Sequence, residues 1–388
     1  MPTYEDALAH VYRHGSETDN RTGVGTIETF DGTQIAYDLR DGFPCITSKR
    51  VAHRLAMEEM LWFIKGDCDL RIMLDKNVHI WDDWCSPKVE MKRVLAATPA
   101  EKVPDGYVFI LTEDLPDYLS YVGDYGVTGV YCPDVPPASR HDRETCEMWP
   151  IGSTIAQTVN RVLRPDSYLD SDPYRLIAYP SSKWYDKGHN PYDDTKKKIK
   201  TYPSLWYDLG PIYGEQWRHF NANVGLTSFD QLAWLMEELA ENPNSRRLIL
   251  SSWNPAEMDL MAIPPCPCFC QFRVMEGKYL DCHVYQRSAD MFLGVPFDLV
   301  GYGLLLNLIA HSAGYIARNL IWTGGSTHIY NNSREQVQAQ LDYHRENNQK
   351  LPKLEIVCDP KPLDKYTIDD IKLVDYVPGP SLKADVVP

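Results

Sequence analysis

A cysteine follows a proline-stiffened stretch, Ile263-Pro264-Pro265-Cys266. Downstream come Tyr285-Gln286-Arg287-Ser288-Ala289-Asp290 and then Phe292-Leu293-Gly294-Val295-Pro296-Phe297-Asp298. Cysteine is the strongest side-chain nucleophile near neutral pH, provided its thiolate is populated. An arginine brought close by the fold lowers the thiol pKa, and Arg287 is the candidate. Arginine and serine suit phosphate oxygens, while a glycine turn followed by one carboxylate suits the edge of a polar ring. The blocks together point to a thiolate that attacks an electron-poor ring while a phosphate and a ring edge are held still. A lone cysteine in an apolar run is ordinarily a packed thiol. Here the Pro-Pro turn and the Arg-Ser-Ala-Asp block overturn that reading. Cys266, Cys268 and Cys270 would share one face of a strand, but zinc sites more usually show Cys-x2-Cys pairs. No metal is expected, and Cys268 and Cys270 read as buried thiols. Cys132 and Cys146 lack paired partners and read as structural.

The elements that must position these residues are partly readable. An Arg21-Thr22-Gly23-Val24-Gly25-Thr26 loop leads into strand-like alternation, then a helix is predicted over 52–65, closed by Gly66. That helix carries Glu59 inside the apolar run Met57 to Phe63, where desolvation raises a carboxyl pKa toward neutrality. An exposed face shared with Glu58 is the plainer alternative. Ser228 and Gln231 are spaced as a capping box before the stripe Leu232, Leu235, Met236 and Leu239. Alternation through Cys270, Phe272 and Val274, the Glu276-Gly277-Lys278 turn, and alternation through Leu280, Cys282 and Val284 predict a hairpin. Gly301 to Ala313 reads as a buried helix. Mixed strands and helices favour an α/β or α+β domain around one sizeable sheet. Residues 86–206 are rich in Pro, Asp and Tyr and only weakly periodic, with one strand-like run at Tyr107–Leu111. They read as an insertion between 1–85 and 207–388, which together form the catalytic domain.

The 388 residues can bury a large core, and 44% hydrophobic with 24% charged residues is normal for a globular protein. A net charge of −15 argues against a duplex nucleic-acid binder, yet a few local arginines suffice for a phosphorylated small substrate. The N-terminus has neither a basic nor an apolar leader region, so a cytoplasmic protein without membrane contact is expected.

These motifs resemble the thymidylate synthase and deoxycytidylate hydroxymethylase family, over about residues 5–85 and 206–388. The resemblance implies a single-domain fold around a large mixed sheet with flanking helices, and 5,10-methylenetetrahydrofolate as one-carbon donor. It implies that Cys266 is the nucleophile, that Glu59 relays protons through water, and that Tyr213 assists proton removal from C5. Arg21, Arg287 and Ser288 match phosphate-holding positions, and Arg246 and Arg247 match a pair that reaches the neighbouring subunit's phosphate in a homodimer. His328 and Tyr330 match contacts to the sugar 3′-hydroxyl. Ile80, Trp81, Trp84, Asp290 and Gly294 match folate contacts, and Lys49 suits the folate's acidic tail. The C-terminal stretch from Pro378 resembles a tail that closes over the cofactor, though it ends in Pro388.

Two departures cluster where the family reads the base. Thymidylate synthases carry His where this chain has Pro267, and Asn where it has Asp298. Uracil offers an N3–H donor and an O4 acceptor, and cytosine reverses both. A carboxyl accepts from the cytosine amino group and can share or deliver a proton at N3. Asp298 therefore argues for a cytosine nucleotide, with dCMP favoured and CMP still open. Water addition would give 5-hydroxymethyl-dCMP, the product favoured, and hydride from the folate would give 5-methyl-dCMP. Thymidylate synthesis from dUMP and a non-catalytic scaffold are the competing readings. The resemblance also implies a virus-encoded enzyme of DNA modification, acting in a host cytoplasm.

Overall fold

The computed structural model describes residues 2–20, 22–84, 209–221, 228–258, 261–347 and 349–387, with four short strands between 107 and 180. Arg21, Cys132, Cys146 and Pro388, singled out above, lie outside the described residues, as does most of 86–206.

The chain opens with helix α1 (Tyr4–His14), capped by Thr3 and Asp6, and continues through β1 (Ser16–Thr18), β2 (Thr26–Thr29) and β3 (Gln34–Asp38). Helix α2 (His53–Ile64) and the short α3 (Leu70–Asp75) follow. The segment 107–180 contributes two antiparallel pairs: β4 (Tyr107–Val108) with β7 (Tyr179–Pro180), and β5 (Met148–Pro150) with β6 (Tyr174–Leu176). Then come α4 (Tyr213–His219), α5 (Gln231–Glu241), β8 (Ile249–Ser251), β9 (Pro267–Met275) and β10 (Tyr279–Asp290). Helix α6 (Gly294–Ala313), β11 (Ile316–Tyr330), α7 (Arg334–Asn347), and the pair β12 (Lys353–Ile356) and β13 (Ile371–Val374) complete it.

Seven strands form one mixed sheet in the order β1-β2-β11-β10-β9-β8, with β3 also on β11. β10 and β11 run parallel across the connection made by α6, and the other pairs are antiparallel. The α/β reading with one large mixed sheet holds. The hairpin is found as read, with Met275 opposite Tyr279.

Two boundaries differ from the sequence reading. Helix α5 is capped by Asp230, whose side chain accepts from the Ala233 amide, so Ser228 and Gln231 form no box. Helix α6 starts at Gly294 rather than Gly301, so Val295-Pro296-Phe297 is a first helical turn and not a loop. Proline is tolerated there because first-turn amides have no intrahelical acceptor. Tyr107–Val108 is strand, while the rest of that run is outside the described residues.

α6 is apolar on nearly all sides because it lies between the sheet and α2. Its length and composition would suffice to cross a membrane, yet 72% of its most apolar window is buried inside the protein. It is the central core helix. α4 crosses α2 so closely that a Cβ on Gly214 would lie 2.1 Å from the Phe63 carbonyl oxygen. That approach holds Tyr213 against α2, and Tyr213 takes a positive φ of 30°, a conformation rare for a bulky residue.

Candidate active site

The Pro-Pro turn delivers Cys266 to the start of β9, beside β10. Its amide donates to the Tyr213 hydroxyl at 3.1 Å, and its carbonyl accepts from the Arg287 amide at 2.8 Å. The Arg287 guanidinium donates to the carbonyls of Pro265 (2.9 Å) and Pro264 (2.6 Å), and Nη2 lies 4.0 Å from the Cys266 sulfur. The arginine thus braces the turn that carries the nucleophile, with its guanidinium 5.4 Å from the Trp253 ring centre. Burial raises the Cys266 pKa, Arg287 lowers it and Asp298 raises it, and burial wins. The expected arginine effect is present but outweighed.

Next to the Cys266 turn is a small cavity lined by Glu59, Met60, Phe63, Trp81, Tyr213, Pro267, Phe297, Asp298, Gly301 and Tyr302. Four elements meet there: α2 brings Glu59, α4 brings Tyr213, α6 brings Asp298 and the head of β9 brings Pro267. Glu59 accepts from the Trp81 indole at 2.6 Å, and burial, then the neighbouring Asp298, push its pKa up to about 8. Glu58 is not on an exposed face: it is buried and ion-paired with Lys76. The helix register therefore separates the two glutamates, and only Glu59 reaches the cavity. Burial holds the Tyr213 phenol well above its ordinary pKa, so it is a hydrogen-bonding hydroxyl rather than a phenolate. Asp298 is pushed up to about 7 by burial, opposed by a 2.9 Å hydrogen bond from Gln286 Nε2.

An aromatic wall extends from the cavity. Phe63 stacks on Tyr213 at 4.8 Å, and Trp81 stands edge-on to Tyr213 at 5.8 Å and to Trp84 at 5.7 Å. Ile80, Trp84, Leu293 and Phe297 are partly buried and pack on the core, leaving apolar surface suited to a flat heteroaromatic group. Asp290 has a local duty, accepting from the amides of Phe292 (2.9 Å) and Leu293 (3.2 Å) and so turning the chain into α6 at Gly294.

Other residues from the sequence reading sit further out. Ser288 and His328 lie on the parallel strands β10 and β11, with Asp290 opposite His328 and the His328 ring 5.1 Å from Tyr330. Lys49 is buried and turned inward, donating to the Phe292 carbonyl 3.8 Å over that ring centre, with its pKa lowered to about 8 by burial. It does not line the cavity. Arg246 and Arg247 are exposed between α5 and β8, toward the far end of β9 from Cys266. Sequence reasoning missed Gln286 and Trp322, although Gln286 sits inside the quoted Tyr-Gln-Arg-Ser block. It also missed Trp253 beneath Arg287.

The thymidylate synthase family model matches residues 2–388, across the 86–206 segment as well as its flanks. The thymidylate synthase of Listeria monocytogenes serotype 4a (strain HCC23) is 34% identical over 390 residues, covering 100% of this chain and 99% of the relative. That of Listeria innocua serovar 6a (strain ATCC BAA-680 / CLIP 11262) is likewise 34% identical over 390 residues, with the same coverage. The chain belongs to the thymidylate synthase family. It is a folate-dependent one-carbon transferase that uses 5,10-methylenetetrahydrofolate to modify C5 of a pyrimidine nucleotide.

Proposed function

We propose that this family member acts on a cytosine nucleotide, dCMP before CMP, and converts it to 5-hydroxymethyl-dCMP. The observation that carries the reading is Asp298, a carboxyl with a pKa near 7 in the cavity beside the nucleophile. Near neutral pH it exists as both acid and carboxylate. The acid form donates to N3 and accepts from the 4-amino group, matching cytosine on both counts.

The Cys266 thiolate adds to C6, and the displaced electron pair moves through C4 to N3, which takes the proton from Asp298. C5 thereby becomes nucleophilic. The folate supplies an electrophilic one-carbon unit at the methylene level. Ile80, Trp81, Trp84, Asp290 and Gly294 would hold it, and the aromatic wall fits a flat ring there. Lys49, committed to Phe292, is left out of that set. Glu59, which holds a proton up to about pH 8, would hydrogen-bond the water that takes the C5 proton and passes it to solvent, with the Tyr213 hydroxyl as that water's second partner. Arg287, Ser288 and Arg21 would hold the phosphate, and His328 and Tyr330 the sugar hydroxyl. Pro267 puts an apolar ring without a donor on the cavity wall, and the polar network altered in this way would admit the water that completes a hydroxymethyl group. A second reading, reductive methylation to 5-methyl-dCMP, is favoured by Trp81, which remains on that wall hydrogen-bonded to Glu59.

The reading extends to a cytoplasmic homodimer in which Arg246 and Arg247 serve the partner subunit. Ile249 pairs with Gln271, so Arg247 falls level with Arg273, seven residues along β9 from Cys266 (273 − 266). At about 3.3 Å per residue that is roughly 20 Å, too far to share one phosphate with Arg287 of the same chain. The 86–206 segment is proposed as an insertion, supported by the nested antiparallel pairing of β5–β6 within β4–β7.

Purified protein incubated with methylenetetrahydrofolate and dCMP, CMP or dUMP, with products identified by mass, tests the proposal. Hydroxymethyl-dCMP is the expected product. Turnover of dUMP alone, giving thymidylate, would overturn it.

A further inference from the structure

The amide of Gln286 has one orientation open to it. Its Oε1 accepts from the Trp322 indole at 2.7 Å, and an indole nitrogen can only donate. Nε2 therefore points the other way, donating to the Ser288 carbonyl at 3.1 Å and to Asp298 Oδ2 at 2.9 Å. Turning the amide over would set N–H against N–H at Trp322 and oxygen against oxygen at both other contacts. Gln286 and Trp322 are buried, so the mismatch would be costly. The register of β10 against β9 shifts between Tyr285 and Gln286, so the backbone irregularity falls at this residue.

An oxygen that accepts from a fixed donor cannot carry an acid proton toward that donor. We propose that Trp322 and Gln286 form a fixed relay that confines the Asp298 proton to Oδ1 and so selects the carboxyl tautomer that reads cytosine. Oδ1–H then donates to N3, while Oδ2 accepts from the 4-amino group. Gln286 is a positioning residue, and the inference rests on the cytosine reading above. The same relay would fix the orientation of an asparagine at 298. Its carbonyl oxygen would meet the Gln286 amide and its NH2 would take the place of Oδ1, where it can hydrogen-bond N3 but cannot give up the proton that N3 takes when the thiolate adds.

The test compares wild type, Gln286→Leu and Trp322→Phe by kcat/KM for dCMP and dUMP across pH 6–9, after melting curves confirm folding. Gln286→Leu should lower kcat/KM for dCMP by about 10–100-fold and the dCMP-to-dUMP ratio by about tenfold, as for loss of a hydrogen bond to a charged group. It should also move the alkaline limb of the dCMP profile to higher pH, because ionised Asp298 loses a donor. Trp322→Phe, which frees the amide to turn, should shift ratio and limb in the same directions by less. It carries the test alone if Gln286→Leu does not fold. Equal losses on both nucleotides with an unmoved limb would reduce Gln286 to a packing role and overturn the relay. A wild type that prefers dUMP would overturn the cytosine reading first, before any variant is made, and the relay with it.

Discussion

Cys266 sits where its neighbours pull in opposite directions. Burial and the Asp298 carboxylate oppose the thiolate that Arg287 favours, and Tyr213 and Arg287 also anchor the backbone of Cys266. Replacing sulfur by oxygen leaves that anchoring intact. Cys266→Ser should therefore cut turnover by about a thousandfold or more, with nucleotide Kd changed only a few-fold in calorimetry. Near wild-type turnover would remove the covalent route. The two cavity carboxyls make a second expectation. Folded values of about 8 for Glu59 and about 7 for Asp298 lie above those of unfolded chains. Their protonated forms favour the fold at acid pH, and that contribution falls as pH rises from the unfolded value of about 4 and is gone above about 7 and 8. Glu59→Gln and Asp298→Asn carry no such titration. Each should raise Tm relative to wild type at pH 8 by roughly a few degrees, and by less at pH 5. Equal offsets at both pH values would contradict the burial of these groups.

At the scale of elements, the crossing of α4 over α2 fixes the distance between Tyr213 and the thiol. Gly214→Ala would put a methyl group 2.1 Å from the Phe63 carbonyl oxygen, against backbone that cannot yield cheaply. It should cost about 1–3 kcal/mol or more in urea melts, as overpacking does, and lower kcat alongside. Unchanged stability would mean that the helices have room to part. That crossing was invisible in the sequence because it depends on which helices meet. What was legible was local: the apolar run around Glu59, the Gly66 stop (φ +72°) and the Glu276-Gly277-Lys278 hairpin turn. The capping box failed because Asp230, two residues past Ser228, is the better-placed acceptor for the Ala233 amide. The start of α6 was set late because Gly294 and Pro296 read as breakers, although both are tolerated in a first turn. Cys266 and Arg287 stood out by residue type. Gln286 did not, because its meaning lies in Trp322 and Asp298, partners supplied by β11 and α6.

Among the described residues of the whole molecule, one sheet face is incompletely covered. Ile249, Phe269 and Met275 are 39%, 41% and 39% exposed on β8 and β9, and Phe269 stacks on Tyr285 at 5.8 Å. Such an apolar face suits a two-fold partner, which would carry Arg246 and Arg247 toward the other subunit's site. Mixing inactive Cys266→Ser with inactive Arg246→Ala protein, under conditions that let subunits exchange, should restore up to about a quarter of wild-type activity through hybrid dimers. No recovery, or a fully active monomer in sedimentation, would contradict shared sites. On the proposed reading, which base the enzyme accepts depends on one carboxyl. A site built for one hydrogen-bonding pattern rejects the other by roughly 10⁴-fold. The direct measurement is kcat/KM for dCMP and dUMP in wild type and Asp298→Asn. Wild type should prefer dCMP, and the variant should lose most dCMP turnover while its ratio swings toward dUMP. A wild type that prefers dUMP, or a variant with the ratio unchanged, would contradict Asp298 as the residue that chooses the base.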